Sequence, residues 1–407
     1  MAIEKLITFF RAYLQVKTVH PNPDYQAVFA LFEKQALRDG FECSYISLPS
    51  LHKQVHKQAE RKVMVITQRG SDPTLPALGL NHHMDVVPAP DNGQWKHDPF
   101  AGILEDEMLY GRGTQDMKGV GVLHYGALQK LKQVHGIPKR TVHILLVPDE
   151  EIGGFSGVGQ LVQTEEFKKL NIGYVLDEGL PSSDENILFI RLGERKPLQV
   201  SFRCMGTMAH GSRLDTHNPV HELVMFLEKI ARFQDTQKNK LDNVQAGLLL
   251  SMNVTSLQAG IMHEGKIALN VIPEQASATA DIRVPPHMKM HEAKKIINDW
   301  LAGHSTISYT IEAEVHDWEC DVTNKSHESG LYQVLEAVIK NHGLEAKQFV
   351  SEGASDLRFY VQQGIEGFGF TPFTIQENLH GINESIRMYD IKLGYELFYE
   401  ILKRFCV

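Results

Sequence analysis

The sequence lacks any long apolar run. No stretch of its 407 residues comes near the roughly 20 consecutive apolar residues that a membrane-spanning helix needs. Residues 1–16 mix Glu4, Lys5 and Arg11 into an apolar pattern with helical spacing, whereas a secretory signal peptide requires an uninterrupted apolar segment. We therefore interpret residues 1–16 as an amphipathic surface helix and expect no membrane partner.

The sequence also has few cysteines and no excess of positive charge. The four cysteines, Cys43, Cys204, Cys320 and Cys406, lie far apart without paired spacing, which argues against a thiolate zinc site and against a disulfide framework. Because 41 Lys and Arg residues stand against 50 Asp and Glu residues, the formal net charge is -9 and gives no general attraction to nucleic acid. We expect a cytoplasmic protein that binds no nucleic acid.

The length and the changing pattern of the chain predict two domains. Up to residue 194, helical patterns alternate with short apolar runs, which is typical of an α/β sheet. From 195 to 313 the pattern becomes β-rich, as in Leu198–Cys204 and Gln275–Val284, and each β-rich part is followed by one helix. The α/β pattern returns from 314 to 407. We predict a discontinuous α/β domain, 1–194 with 314–407, and an inserted α+β domain over 195–313.

Local signals also predict individual helices. Asn218 is a favourable N-cap and Pro219 suits the first helical position, so a helix is expected to begin there. Further helical patterns cover Met290–Leu301, Ser329–Asn341 and, near the C-terminus, Asp390–Phe405.

Imidazole and carboxylate side chains cluster in five short segments. These are His83–Asp85, Gly113–Lys118, Asp149–Glu151, Asp177–Gly179 and Leu379–His380. Two of the segments follow apparent strands, and open α/β sheets bind ligands at that edge. Neutral imidazole and carboxylate are ligands that suit zinc. Each segment alone is weak evidence, because a His-x-Asp tripeptide is common by chance.

Taken together and in this order, the segments resemble the co-catalytic zinc aminoacylase and carboxypeptidase metallopeptidase family. The resemblance spans nearly the whole chain and is carried by Asn-His-His-Met-Asp-Val-Val-Pro (81–88), Gly-Arg-Gly-Thr-Gln-Asp-Met-Lys-Gly (111–119), Val-Pro-Asp-Glu-Glu-Ile-Gly-Gly (147–154), Leu-Asp-Glu-Gly (176–179) and Leu-His (379–380) followed by Glu384. Trp95-Lys-His-Asp-Pro-Phe100 makes the chain most similar to the cytosolic aminoacylases. The resemblance implies a zinc-peptidase-like catalytic domain with an inserted α+β sandwich domain that serves as a lid and in dimerisation.

The same resemblance implies two zinc ions per subunit. It assigns His83, Asp116 and Glu178 to one ion. It assigns Asp116, Glu151 and His380 to the other, so that Asp116 bridges the pair. A shared carboxylate would hold the ions the ~3.5–4 Å apart that two-metal hydrolysis requires. Family members commonly have a cis peptide after this aspartate, here Asp116-Met117.

Two ligand alternatives stay open at the level of sequence. Asp177 is a possible ligand in place of Glu178, since related proteins sometimes use an aspartate. His82 is a possible ligand in place of His83, although only His83 is followed two residues later by an aspartate. Alternate side chains of a strand share a face, so that aspartate, Asp85, is expected to fix the tautomer of His83.

The resemblance also implies catalytic and substrate-binding residues. Glu150 is the expected general base, although its role and that of the neighbouring ligand Glu151 are exchangeable on sequence grounds. His210, in Gly-Thr-Met-Ala-His-Gly-Ser-Arg, is expected to stabilise the oxyanion from the partner subunit of a homodimer. Asn270 and Arg358 are expected to contact the substrate, where the arginine fork suits a free α-carboxylate. The alternatives are a histidine in a surface turn for His210 and a structural ion pair for Arg358.

These expectations combine into a metal-dependent amidohydrolase of amino-acid metabolism. The predicted reaction is hydrolysis of small N-acyl-L-amino acids to a carboxylate and a free amino acid. A dipeptidase or carboxypeptidase of the same family is the alternative. A catalytically silent binding protein is disfavoured, because all five inferred ligands and Glu150 are present.

Overall fold

The computed structural model describes residues 2–49, 61–90, 93–263, 265–314, 329–374 and 378–407. Cys320 lies outside these ranges. The chain divides into two compact units. The first unit comprises the described residues of Met1–Gly193, Thr323–Phe349 and Ser355–Val407, and the second comprises those of Glu194–Val322 and Val350–Ala354. Within the described ranges, no helix combines the length and the apolar character that crossing a membrane requires.

The first unit is built on a mixed sheet with helices. Its helices, numbered along the whole chain, are α1 (Ile3–Leu14), α2 (Tyr25–Arg38), α3 (Lys118–His135), α4 (Val158–Leu161), α5 (Glu165–Lys168), α8 (Gly330–Asn341), α9 (Leu357–Gln362) and α10 (Met388–Cys406). The sheet strands are β1 (Glu42–Ser47), β2 (Lys62–Gln68), β3 (Ala77–His83), β6 (Val142–Val147), β7 (Ile172–Asp177), β8 (Ile187–Glu194), β17 (Glu345–Ser351) and β18 (Glu366–Phe370). A smaller sheet contains β4 (Ile103–Glu105), β5 (Met108–Tyr110) and β19 (Ser385–Arg387).

The central strands of the large sheet are parallel. Its order across the described residues is β1-β2-β6-β3-β7-β18-β8-β17, and β3 pairs in parallel with both β6 and β7. Every residue of β3 is buried, as expected for a parallel strand that is covered on both faces. Helix α3 lies close against β3 at Gly121, where a Cβ atom would stand 2.2 Å from the His82 ring. This glycine therefore permits the contact between α3 and β3.

The second unit is an antiparallel sheet with helices on one face. Its strands are β9 (Lys196–Met205), β10 (Ala209–His210), β11 (Ser251–Ala259), β12 (Met262–His263), β13 (Lys266–Ile267), β14 (Val271–Ile272), β15 (Gln275–Val284) and β16 (Ile307–Glu314), and its helices are α6 (Pro219–Lys238) and α7 (Met290–Leu301). The main sheet has the order β11-β15-β9-β16. Inward-facing residues of β9 and β15, such as Phe202 and Ile282, join residues of α6 and α7, such as Phe226 and Ile297, in one apolar cluster.

Several local predictions are confirmed. Strand β15 and helix α7 have the predicted limits, and α6 begins at Pro219 with the Asn218 side chain accepting a hydrogen bond from the Val220 amide at 3.0 Å. Helix α8 begins one residue later than predicted, because Ser329 is its N-cap. Strand β3 runs on to His83, three residues beyond the predicted apolar run, since its parallel pairing continues as far as Val147. The roles assigned to the two domains remain predictions.

Candidate active site and metal centre

Three neighbouring strands deliver polar residues to one edge of the large sheet. His83 is the last residue of β3, Asp177 is the last residue of β7, and Glu178 follows directly. Strand β6 ends at Val147, shortly before Glu150. Because β3, β6 and β7 are adjacent and parallel, their carboxyl ends meet, which is where open α/β sheets place ligand sites.

Two loops complete the cluster. Asp116 lies just before α3, and the Asp116-Met117 peptide bond is cis, as the family resemblance implies. His380 lies between β18 and β19 and has a positive φ of 58°. Both residues thus come from irregular backbone supported by regular elements.

The ligand atoms form two sets that share Asp116. In the first set, His83 Nε2 lies 3.0 Å from Asp116 Oδ1 and 3.2 Å from Glu178 Oε2. In the second set, His380 Nε2 lies 2.9 Å from Asp116 Oδ2 and 3.9 Å from Glu151 Oε1. Within each set all the ligand atoms lie within 4.8 Å of one another. Nitrogen and oxygen donors in this arrangement, with one carboxylate oxygen turned to each set, fit a pair of divalent cations.

The electrostatics of the cluster also favour cations. Burial and the nearby Asp116 carboxylate raise the pKa of Glu151 to about 7, and the same two causes raise the pKa of Glu178 well above its usual value. Burial opposes ionisation of Asp116, but hydrogen bonds with His380 and His83 outweigh it and hold the pKa of Asp116 well below its usual value. Three crowded carboxylates and two imidazoles therefore form a site in which a divalent cation relieves charge repulsion.

A buried ion pair ties the two loops together. Arg112 is 2% exposed and donates from Nη1 to Glu384 Oε2 at 2.6 Å and from Nη2 to the His380 carbonyl at 3.3 Å. Glu384 also accepts from the amides of Gly113 at 3.0 Å and Gln115 at 2.8 Å. The pair thus supports both the Asp116 loop and the His380 loop. The sequence places both residues in the motifs without indicating this ion pair, for which the Gly-Arg-Gly run is the available signal.

Asp85 contacts His83 through its main chain. His83 Nδ1 lies 3.0 Å from the backbone carbonyl oxygen of Asp85 and 3.7 Å from its carboxylate. The carboxylate instead accepts from the backbone amides of Glu150 at 3.2 Å and Glu151 at 3.0 Å. The main chain of Asp85 is therefore placed to orient His83, while its side chain contacts the turn with the two glutamates, and its predicted effect on the His83 tautomer remains a prediction.

Glu150 and Glu151 occupy a short 3-10 turn, Glu150–Ile152. Glu151 Oε1 accepts from the Val87 amide at 3.1 Å and belongs to the second ligand set. Burial and the nearby negative charge of Glu178 raise the pKa of Glu150 well above its usual value. The geometry therefore favours Glu151 as the ligand, and the role of Glu150 as the base remains a prediction.

The geometry also favours His83 and Glu178 over their alternatives. His82 points to the opposite face of β3, where its Nε2 lies 3.0 Å from the Tyr13 hydroxyl. Asp177 accepts from Asn81 Nδ2 at 2.8 Å, whereas the neighbouring Glu178 reaches His83.

Arg358 lies buried in the first unit. Its Nη2 donates to the Gly153 carbonyl at 2.7 Å, and its guanidinium lies 4.5 Å from the ring centre of Phe359 and 5.6 Å from that of Phe155. This places Arg358 beside the loop that follows Glu150 and Glu151. Its predicted contact with a substrate carboxylate remains a proposal.

His210 and Asn270 are neighbours in the second unit. His210 on β10 pairs with Val271 on β14, and the Gly211 amide donates to the Asn270 carbonyl at 2.7 Å. Both residues are exposed, and His210 Nδ1 lies 2.8 Å from Ser212 Oγ. The two predicted substrate-contacting residues of this unit therefore stand side by side, and their roles remain proposals.

Comparisons with known proteins agree with this arrangement. The model of peptidase family M20/M25/M40 matches residues 79–404. Aminoacylase-1 from Sus scrofa is 32% identical over 403 residues, which cover 97% of this chain and 94% of that protein. Aminoacylase-1 from Dictyostelium discoideum is 31% identical and covers 95% of this chain and 96% of its own length.

Solved structures share the fold. An M20 family metallo-carboxypeptidase, Sso-CP2 from Sulfolobus solfataricus, superposes with a TM-score of 0.69 at 19% identity, covering 98% of each chain. The predicted fold class, an α/β zinc-peptidase-like domain with an inserted α+β domain, is thereby confirmed.

Proposed function

The chain belongs to peptidase family M20/M25/M40, and from that premise we propose that it hydrolyses the amide bond of N-acyl-L-amino acids. The products are a carboxylate and a free amino acid. The main support for a metal-dependent hydrolase is that the two ligand sets share Asp116. The acyl-amide substrate is supported by the aminoacylase-1 relatives, which match the chain nearly from end to end.

Two zinc ions per subunit are the proposed cofactors. His83, Asp116 and Glu178 would hold one ion, and Asp116, Glu151 and His380 the other. Sets of three imidazole and carboxylate donors support zinc, because catalytic zinc sites typically have three protein ligands and one open position. When bound, the metal centre polarises the amide carbonyl and stabilises the charge that develops on its oxygen.

Glu150 is the proposed general base and acid. It takes a proton from the attacking water and passes that proton to the departing amine. The hydrogen bonds from the amides of Glu150 and Glu151 to Asp85 fix the backbone of the turn, which supports separate roles for the two carboxylates. Arg358 is the proposed partner of the substrate α-carboxylate.

The second unit is proposed to bring together a homodimer in which His210 stabilises the oxyanion of the partner subunit, with Asn270 beside it. Strand β11 is an edge of its sheet and exposes Val254 and Leu257, and the neighbouring helix α6 exposes Val224 and Met225. An apolar edge of this kind is suited to pairing with another chain. Mixing subunits that carry Glu150→Gln with subunits that carry His210→Ala should restore activity, whereas no recovery would contradict action across subunits.

A cytoplasmic location is also proposed. It is supported by the three described cysteines, Cys43, Cys204 and Cys406, which are all free thiols.

The substrate proposal is tested by comparing N-acetyl-L-methionine with a methionine-containing dipeptide, using zinc-loaded protein. We expect the acetylated amino acid to have the higher kcat/KM, and the same protein after chelation serves as the control. Preference for the dipeptide would support the peptidase alternative. Failure to cleave either substrate would support a silent binding protein.

A further inference from the structure

The turn that carries Glu150 and Glu151 begins at an unusual residue. Asp149 has φ 68° and ψ 22°, a left-handed conformation that residues other than glycine adopt rarely. Its side chain is 1% exposed, and its carbonyl accepts from the Gly154 amide at 2.8 Å. Such a conformation persists where surrounding contacts fix it, so the contacts of Asp149 matter for the turn.

Tyr25 and Arg61 supply those contacts. The Tyr25 hydroxyl donates to Asp149 Oδ1 at 2.9 Å and accepts from the Asp149 amide at 3.0 Å. Arg61 Nε donates to Asp149 Oδ2. A single hydroxyl therefore bridges the main chain and the side chain of Asp149, and a guanidinium neutralises its carboxylate.

His20 reaches the same turn through Asp85. His20 Nε2 lies 3.1 Å from Asp85 Oδ2 and 3.7 Å from Asp149 Oδ1. The Asp85 carboxylate in turn accepts from the amides of Glu150 and Glu151. His20 thus contacts both carboxylates that determine the path of the turn.

The segment that carries His20 is anchored next to β3. Val19 forms a parallel bridge with Val86, and the Val86 amide donates to the Thr18 carbonyl at 3.2 Å. Tyr25 follows as the first residue of α2. The N-terminal segment therefore lies beside the residues that follow His83, with its polar side chains directed at Asp85 and Asp149.

We propose that His20, Tyr25 and Arg61 are positioning residues, here called the brace, that fix the turn so that Glu150 acts as base while Glu151 binds metal. The proposal rests on the proposed function of these two glutamates. The side-chain contacts given above join the brace to Asp85 and Asp149, which in turn shape the turn that carries the two glutamates. Loss of a brace contact should therefore lower kcat and metal affinity more than it changes KM, because outer residues of metal sites act through ligand orientation.

The decisive comparison is between two tyrosine variants. Tyr25→Phe removes the bridging hydroxyl. Tyr125→Phe is the matched control, because Tyr125 also donates to a carboxylate in the same unit, Asp39 Oδ2 at 2.6 Å, which lies at the C-terminal end of α2 and has no described hydrogen bond to the turn. We would measure kcat and KM for N-acetyl-L-methionine, and Zn²⁺ affinity by titrating metal-free protein.

Tyr25→Phe is expected to lower kcat and the affinity for Zn²⁺ by about 10-fold or more, with KM changed less than about threefold, in line with the 10–100-fold effects of outer residues. Tyr125→Phe should leave both quantities within about twofold of wild type. Equal effects of the two variants would overturn the proposal. If the wild type binds Zn²⁺ but does not cleave the acyl substrate, the proposed function fails, while the Zn²⁺ titration still tests the brace.

A second pair of variants decides the matter if Tyr25→Phe does not fold. His20→Ala removes the group that contacts Asp85, whereas His20→Gln keeps an N–H donor of similar reach. His20→Ala should lower kcat and Zn²⁺ affinity by about tenfold and His20→Gln should restore most of both. Wild-type values for His20→Ala, or equal losses in both variants, would contradict the positioning role.

Discussion

Strands β3 and β15 show two different relations between sequence and burial. In β15 every second residue is buried, and the residues between them are half-buried. In β3 all seven residues are buried, although Asn81, His82 and His83 are polar. Strand β15 belongs to an antiparallel sheet with helices on one face, and β3 belongs to the parallel centre of the large sheet.

Each polar residue of β3 has at least one hydrogen-bond partner, and only the Nδ1 atom of His82 has none among the described residues. Asn81 donates to Asp177 and accepts from the Tyr360 hydroxyl, both at 2.8 Å, while His82 meets the Tyr13 hydroxyl and His83 the ligand set. A buried polar group without a partner destabilises a fold. The comparison indicates that β15 mainly stabilises the fold, whereas β3 also positions polar residues at the candidate active site.

The largest effect on activity is expected at the sheet edge where β3 ends, beside the ligand sets. Glu150→Gln keeps the shape of the side chain but removes its capacity to take a proton. We expect kcat to fall by about 10²–10⁴-fold, the usual contribution of a general base. Steady-state kinetics with metal analysis of the same sample checks this. Retained turnover with both metals bound would contradict the role of Glu150.

A substitution in β15 should affect stability instead. Ile282 is fully buried in the apolar cluster of the second unit, so Ile282→Ala is expected to lower the free energy of unfolding by about 2–5 kcal/mol. Denaturant unfolding measures this loss, and the kcat of the folded protein should stay within about threefold of wild type. A large fall in kcat without loss of stability would break the comparison.

The pairing of polar residues in β3 predicts a smaller loss of stability. Tyr360→Phe removes the hydroxyl that donates to Asn81 Oδ1 and leaves this buried oxygen with one donor fewer. The expected cost is about 1–3 kcal/mol of unfolding free energy. Unchanged denaturant stability would mean that another donor replaces the hydroxyl.

The smallest effect is expected on the outer face of β15. Ser277 is half-buried there and pairs with Arg203 across the sheet. Ser277→Val should change the unfolding free energy by no more than about 0.5 kcal/mol, since the side chain alternates with the buried Ala276 and Ala278 of the apolar cluster and valine suits strands. A loss of unfolding free energy as large as that of Ile282→Ala would show that this face of β15 is packed against other residues.

Local signals in the sequence were sufficient for part of the fold. The alternation of Gln275–Val284 and the cap at Asn218 predict β15 and the start of α6, because the causes lie within a few residues of one another. The continuation of β3 to His83 depends on its neighbour β6 and has no local signal. The short strands β4, β5 and β19 were missed for the same reason: each has only three residues, and their pairing fixes them.

The candidate site likewise has features that the sequence predicts and features that it does not. Residue types and family resemblance predict which side chains meet, and the structure places those of each ligand set together, although Asp116 and His380 are 264 positions apart. The supporting contacts escaped prediction. The sequence shows Asp149 only as part of an acidic segment, because its bonds to Tyr25 and Arg61 join distant parts of the chain.

The two histidines of the candidate centre differ sharply in solvent access. The His83 side chain is fully buried, whereas that of His380 is 47% exposed. For the proposed pair of ions, this asymmetry implies unequal exchange rates: the ion beside His380 would leave first under mild chelation, and the ion beside His83 would remain longer. Stepwise reloading with a different metal could then produce a protein with two unlike ions at known positions.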